Sequence, residues 1–207
     1  MPPFLTSTDH QSRDHPVSDF DVIVIGSGPG GYVAAIRASQ LGLKTAIVER
    51  EALGGICLNW GCIPTKALLK SGEKFESLSH LKDYGVSATG ASFDFGAIIQ
   101  RSRGVAATMN KGVAFLMKKH GIEVIEGDAV LQKGAAAPAV KVRLKAGGER
   151  TMQAARAVIL AVGARARSLP QIGLEADGDK IWAYRGAPSP KRLPKSFVVI
   201  GSGAIGL

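Results

Sequence analysis

At 207 residues, 45% hydrophobic and 21% charged, the chain has the composition of a folded globular protein with one full core and part of a second, which sets disorder aside. Its formal charge of +9 resides in the second half: residues 1–100 carry 8 basic and 10 acidic side chains, residues 101–207 carry 18 and 7. No basic run is interleaved with aromatics and no apolar run reaches the ~18 residues of a membrane span, so the charge reads as a solvated face, with neither nucleic acid nor membrane as partner.

Residues 1–18, with Pro2, Pro3 and Pro16, contain neither a secretory apolar stretch nor an Arg-rich transit pattern, and read as a mobile tail of a cytoplasmic protein. Residues 21–25 (DVIVI) form a β-branched run ending at Gly26; residues 30–41 then place apolar and small residues at helical spacing, and Gly42 closes the turn. Residues 44–48 (KTAIV) read as a second buried strand, completing a βαβ unit with parallel pairing. Helical character returns over 64–81. Residues 95–120 read as a long amphipathic helix with Ile98, Ile99, Val105, Met109, Val113, Leu116 and Met117 on one stripe and Gly121 as its C-terminal cap.

A strand over 122–125 continues a doubly wound parallel sheet of the α/β class. Residues 130–159 change texture: short alternating pieces around Val140, Val142 and Leu144 suggest a small antiparallel β excursion. Residues 157–161 (AVILA) read as the return strand, ending a domain over 19–167. Residues 168–195, with Pro170, Pro188, Pro190 and Pro194, read as a connecting loop. Residues 197–200 (FVVI) then feed GSGAIG, a second copy of the opening pattern and the start, over 196–207, of a second nucleotide domain.

The first copy, Gly26-Ser27-Gly28-Pro29-Gly30-Gly31, matches GxGxxG between a strand and a helix. Gly26 suits the tight turn, Gly28 the approach of a pyrophosphate and Gly31 helix-to-strand packing, while helix N-terminal amides favour the anion. Glu49 ends the second strand 23 residues after Gly26, where a carboxylate can accept hydrogen bonds from a ribose diol. Together these features point to dinucleotide binding.

The two cysteines, Cys57 and Cys62, are the only ones in the chain, and a CxxxxC pair can close a small disulfide loop of the accessible, labile kind. A zinc site lacks further ligands, since His10, His15, His80 and His120 fall in the tail or near turns, so no metal is expected. Pro64 suits the first turn of a helix entered through Gly61 and Cys62, where the helix dipole favours a thiolate at Cys62; Cys57, on the preceding loop, is the better placed to reach an outside disulfide.

The segment GGICLNWGCIPTK, residues 54–66, resembles the active-site signature of the class I pyridine nucleotide-disulfide oxidoreductases. Leu58, Ile63 and the following Lys66-Ala67-Leu68-Leu69 are most similar to the branch that oxidises dihydrolipoamide, whereas glutathione and mercuric reductases usually read CVNxGCVP. The likeness runs from Ser18 to Leu207, departing at Val162, where the family often carries Thr.

The resemblance implies a homodimeric flavoenzyme using FAD and NAD. Cys57 would be the interchange thiol, Cys62 the charge-transfer thiol beside the flavin, and Lys66 a cation near flavin N5. Trp60 would pack or shield. FAD contacts are implied for Gly26, Ser27, Gly28, Pro29, Gly30, Gly31, Glu49, Arg50, Gly54, Gly55, Ile56, Cys57, Lys66, Ala129 and Gly163, and NAD contacts for Gly201, Gly203 and Gly206. The partner it implies is dihydrolipoamide on a carrier domain of a 2-oxo acid dehydrogenase complex. The family's acid-base histidine and its glutamate lie in a C-terminal interface domain with no counterpart here, so the chain reads as a fragment, inactive by itself, of a longer parent.

Overall fold

The computed structural model describes residues 18–204 and 206; the expected tail apart from Ser18, and Ile205 and Leu207, lie outside the described residues. Residues 18–26, 30–51 and 117–161 form one compact unit, and residues 27–29, 52–116 and the described part of 162–207 form the other.

In the first unit, β1 (Phe20–Ile25), β2 (Thr45–Glu49), β3 (Glu123–Gln132), β4 (Ala139–Leu144) and β5 (Glu149–Leu160) close into a ring, joined to α1 (Pro29–Gln40), whose first residue alone belongs to the other unit. The parallel sheet has the order β3-β2-β1-β5, with Ile23 opposite Ala46 on one side and Val158 on the other. Both expected β pieces are longer than their alternation suggested. β3 runs parallel to β2 over 123–126 and antiparallel to β4 over 127–132; β5 pairs with β4 over 149–153 and with β1 from Ala154 onward.

The antiparallel excursion is therefore made of the far halves of two strands of the parent sheet plus β4. Gly127 stands at the changeover of β3, where a Cβ would collide with the carbonyl oxygen of Arg143 and come within 2.7 Å of Val142 Cγ1. β5 makes its own turn with a register shift against β1 between Phe20 and Val22, the local irregularity that lets a strand bend.

The ring encloses a core of Phe20, Ile23, Ile25, Ala46, Val48, Ile125, Ala137, Val140, Val142, Met152 and Ala154. Residues two apart on each strand share this face. Val22, Val24 and Ile47, between them, are buried as well, which is why β1 and β2 read as continuous apolar runs. α1 turns Gly31, Ala35 and Ala38 inward, small side chains at helical spacing that permit close approach.

Ion pairs Lys141–Glu149 (2.6 Å), Arg143–Asp128 (3.2 Å) and Lys145–Glu126 (3.7 Å) take up part of the basic excess. Exposed pairs of this kind contribute little stability.

The second unit holds α2 (Gly55–Asn59), α3 (Cys62–Glu76), a 3₁₀ helix (Ser77–Tyr84) and all but the last turn of α4 (Phe95–Lys119). α4 ends as expected: Gly121 and Ile122 donate their amides to Lys118 and Met117, a Schellman closure. The buried row along it is Ser102, Ala106, Val113 and Met117, and Met109 is exposed. The expected stripe is corrected at that position because Asn110, its neighbour, turns inward to bond one backbone acceptor and one side-chain acceptor.

The strand expected over 197–200 is not formed: these residues are exposed and carry no ladder. A strand needs a neighbour to satisfy its amides and carbonyls, and among the described residues none lies alongside. Also among the described residues, no helix is long and apolar enough to cross a membrane.

Candidate active site

β1 delivers the chain to Gly26, whose amide donates to the Val48 carbonyl (2.8 Å), and α1 starts at Pro29, so the turn between them is tight. A Cβ on Gly31 would collide with the carbonyl oxygen of Gly26 and come 3.3 Å from Ala161 Cβ, whereas at Gly28 or Gly30 it would meet nothing within 4 Å. Gly31 is thus required by the protein's own packing. Gly28 and Gly30 instead present bare backbone at the amino end of α1, where unpaired amides attract an anion. Ser27 is fully buried. This glycine-surfaced ground fits the diphosphate of FAD. Glu49, at the end of β2, accepts the amide of Glu51 through Oε1 (2.8 Å), which steadies its carboxylate; Arg50 lies on the turn that follows.

The cysteine segment is seated on this turn. Gly54 donates its amide to the Ser27 carbonyl (2.9 Å), and a Cβ on Gly55 would stand 2.7 Å from Gly28 Cα. Only backbone fits there. Ile56 and Cys57 ride on α2, Trp60 closes it by donating its amide to the Ile56 carbonyl (2.8 Å), and Gly61 precedes α3, which starts at Cys62 rather than at Pro64.

Cys57 and Cys62 are disulfide-bonded, with Cα atoms 4.6 Å apart. In an unbroken helix residues five apart sit about 140° apart around the axis, so the break at Trp60-Gly61 is what folds the second cysteine back onto the first. Two expectations are corrected here. Cys57 belongs to a short helix and not to a loop, and Cys62 is the more exposed sulfur-bearing residue, Cys57 being half-buried. Cys62 sits at the helix amino end, which favours negative charge on its sulfur once the bridge opens. Lys66 is one turn further, at i+4, on the same side of α3 and exposed.

α4 grips this segment with polar side chains. Asn59, 8% exposed, donates through Nδ2 to the carbonyls of Leu53 (2.8 Å) and Gly55 (2.9 Å). Asn110 donates to the Leu53 carbonyl (2.6 Å) and to Asn59 Oδ1 (3.2 Å). Arg103 donates to the Asn59 carbonyl (2.6 Å), the buried Ser102 hydroxyl to the Pro64 carbonyl (3.0 Å), and Arg101 to the Ala67 carbonyl (2.9 Å). Of these five only Asn59 falls within the segment that the sequence marks, and its bonding role is not readable there. The available signal was Asn110, a polar residue at helical spacing from Ala106, Val113 and Met117. Asn110→Ala is expected to lower stability by about 2 kcal/mol, the cost of leaving partly buried amide and carbonyl groups short of partners, as a reduced urea midpoint at unchanged slope.

The remaining expected residues lie apart. Ala129 is in β3 opposite Val142, its side chain against the ring core. Gly163 follows β5 in an exposed stretch with φ 68°. In the second glycine loop a Cβ on Gly206 would collide with the Gly201 carbonyl oxygen, repeating the Gly31–Gly26 contact; Gly203 is open. The same internal packing thus recurs even though the strand before it is unformed.

A parallel sheet with a glycine turn at its first strand end, in a chain that also carries a CxxxxC disulfide, is the arrangement of a dinucleotide-binding protein with a redox bridge. The family model for pyridine nucleotide-disulphide oxidoreductases matches residues 20–207, and the chain belongs to that family. Among curated proteins it is similar to dihydrolipoyl dehydrogenases: 54% identical to that of Rhizobium etli (91% of this chain, 41% of the relative) and 50% to that of Chlorobaculum tepidum (95% and 41%). Among solved structures, LpdA from Mycobacterium tuberculosis matches with a TM-score of 0.74 at 25% identity, over 84% of this chain and 38% of that one. The chain spans about two-fifths of the length of these relatives.

Proposed function

We propose that this chain is the FAD-binding, redox-disulfide part of a cytoplasmic, homodimeric dihydrolipoyl dehydrogenase that oxidises dihydrolipoamide on the carrier domain of a 2-oxo acid dehydrogenase complex. The observation that carries the reading is the Cys57–Cys62 bridge, closed across a helix break in a segment whose Gly54 and Gly55 lie against the backbone of Ser27 and Gly28. The chain's 54% and 50% identity to dihydrolipoyl dehydrogenases supports the same reading.

In this reading a thiolate of dihydrolipoamide attacks Cys57, the Cys57–Cys62 bond breaks, and Cys62 leaves as a thiolate. The second substrate thiol then attacks the mixed disulfide, releasing lipoamide and leaving Cys57 reduced, so two electrons enter the protein. The amino end of α3 stabilises the Cys62 thiolate, and Lys66 adds a positive charge one turn on. Gly26 to Gly31, with Glu49, Arg50, Gly54, Gly55, Ile56, Ala129 and Gly163, would hold FAD, and Gly201, Gly203 and Gly206 would hold NAD. FAD, when bound, would supply a two-electron acceptor for the reduced cysteine pair, and NAD+ the onward acceptor. A flavin ring covering Cys62 would leave Cys57 as the sulfur open to the substrate.

The domain limits that go with this reading are 19–167 for the FAD-binding part, 168–195 for the connection and 196–207 for the start of the NAD-binding part. The test is turnover by the full-length parent on dihydrolipoamide with NAD+, against glutathione disulfide and Hg(II) with reduced nicotinamide. Preference for either of the latter would reassign it to another branch of the family.

A further inference from the structure

α2 is five residues long, too short to hold itself in water, and the cysteine it carries is bridged to one on the next helix. Two consecutive residues of α4 secure the two sides of the break between these helices. The buried Ser102 hydroxyl donates to the carbonyl of Pro64 (3.0 Å), which follows Cys62 in α3, and Arg103 Nη1 donates to the carbonyl of Asn59 (2.6 Å), which follows Cys57 in α2. All of these residues belong to one compact unit.

The Asn59 carbonyl is part of the peptide that leads into the break. A peptide unit is planar, so fixing its oxygen and its amide fixes its orientation. Arg103 holds the oxygen, and the Trp60 amide at the other end donates to the Ile56 carbonyl (2.8 Å). Arg103 itself is half-buried.

With the bridge closed, a covalent ring keeps α2 against α3 whether or not Arg103 is present. With the bridge open, only non-covalent contacts do so. Loss of the Arg103 bond therefore harms the oxidised chain more: the closed ring leaves the Asn59 carbonyl short of a donor, whereas the open chain can turn that peptide toward water and regain freedom.

We propose that Arg103 is a positioning residue for the Cys57–Cys62 pair: it holds the Asn59–Trp60 peptide so that the two thiols of the reduced protein stay set to close, and so biases the pair toward the disulfide. The inference rests on the reading of Cys57–Cys62 as the exchanging pair. The equilibrium it shifts can be read against dithiothreitol. The Cys57–Cys62 bond breaks and each sulfur takes up a proton, while the reagent's two thiols give up two protons and two electrons as its own ring disulfide forms.

The test equilibrates the 207-residue chain in mixtures of reduced and oxidised dithiothreitol at fixed pH and reads the disulfide fraction by alkylation and mass. Arg103→Met, which keeps an apolar stem but no donor, is expected to shift the equilibrium constant about fivefold toward the dithiol, and Arg103→Lys, which keeps a donor, to stay within about twofold of the unsubstituted chain. Urea unfolding of the oxidised and reduced forms completes the cycle, with Arg103→Met losing more stability in the oxidised form. Should Arg103→Met fail to fold, Arg103→Gln, whose shorter side chain draws the donor back, gives the same readout. Equal losses in the two forms with an unchanged constant, or a shift toward the disulfide, would overturn the inference and leave the redox reading standing. A bridge that dithiothreitol leaves closed in the folded chain would overturn both.

Discussion

Gly31→Val should cost the chain about 3 kcal/mol or more of stability and its affinity for FAD together, whereas Gly28→Ala should leave the fold intact and lose FAD alone. The distinction follows from what surrounds each position. A side chain on Gly31 runs into the Gly26 carbonyl, main-chain atoms that cannot rotate aside, and crowds Ala161. Accommodating it requires α1 to move away from the end of β1, and overpacking of this sort costs about 1–3 kcal/mol even where softer side chains can yield. At Gly28 a methyl group meets nothing within 4 Å of the protein itself, so only an incoming diphosphate would be displaced. Urea titration with FAD-fluorescence quenching, run on both variants, separates the two effects. Equal loss of stability in both would show that the turn, and not the ligand, needs Gly28.

The second large effect concerns the bridge. On the function proposed above, Cys57→Ser and Cys62→Ser in the full-length, FAD-loaded protein should each lower turnover on dihydrolipoamide on the order of a thousandfold or more, because neither leaves a disulfide to receive electrons. Their spectra should differ. Cys62, at the amino end of α3, is the sulfur for which the fold favours a thiolate, so a long-wavelength absorption band should persist in Cys57→Ser and vanish in Cys62→Ser. Identical spectra for the two variants would show that the sulfurs are interchangeable and that the helix end does not divide their roles.

The glycine turn and the cysteine pair were legible because each encodes its local geometry in residues close along the chain. Gly26 to Gly31 bind strand end to helix start within one turn, and Cys57 to Cys62 span one helix break. What escaped was carried by contacts distant in sequence. Asn59 and Asn110 are 51 residues apart, and nothing local in α4 announces that an amide will replace an apolar side chain on its inner face. Hydropathy ranks Met109 above Asn110 for that position, while hydrogen bonding to Leu53 and Asn59 decides the helix's rotation.

β3 and β5 look short in the sequence for a related reason. Where both faces of a strand are buried the pattern is continuous, and where one face is solvated it alternates, so a strand that passes from one setting to the other reads as two. Residues 197–200 have the composition of a strand but lack the partner that makes one.

The passage of β3 and β5 through both sheets has a consequence for how this unit comes apart. Neither sheet possesses four strands of its own, and β4 is held only by the far ends of β3 and β5, whose near ends flank β1 and β2. Fraying cannot be confined to the antiparallel side without loosening strands that also wall the nucleotide end. Amide protons of Val140 and Val142 should therefore exchange with solvent by the same opening event as those of Ile23 and Ile47, making the ring one cooperative block.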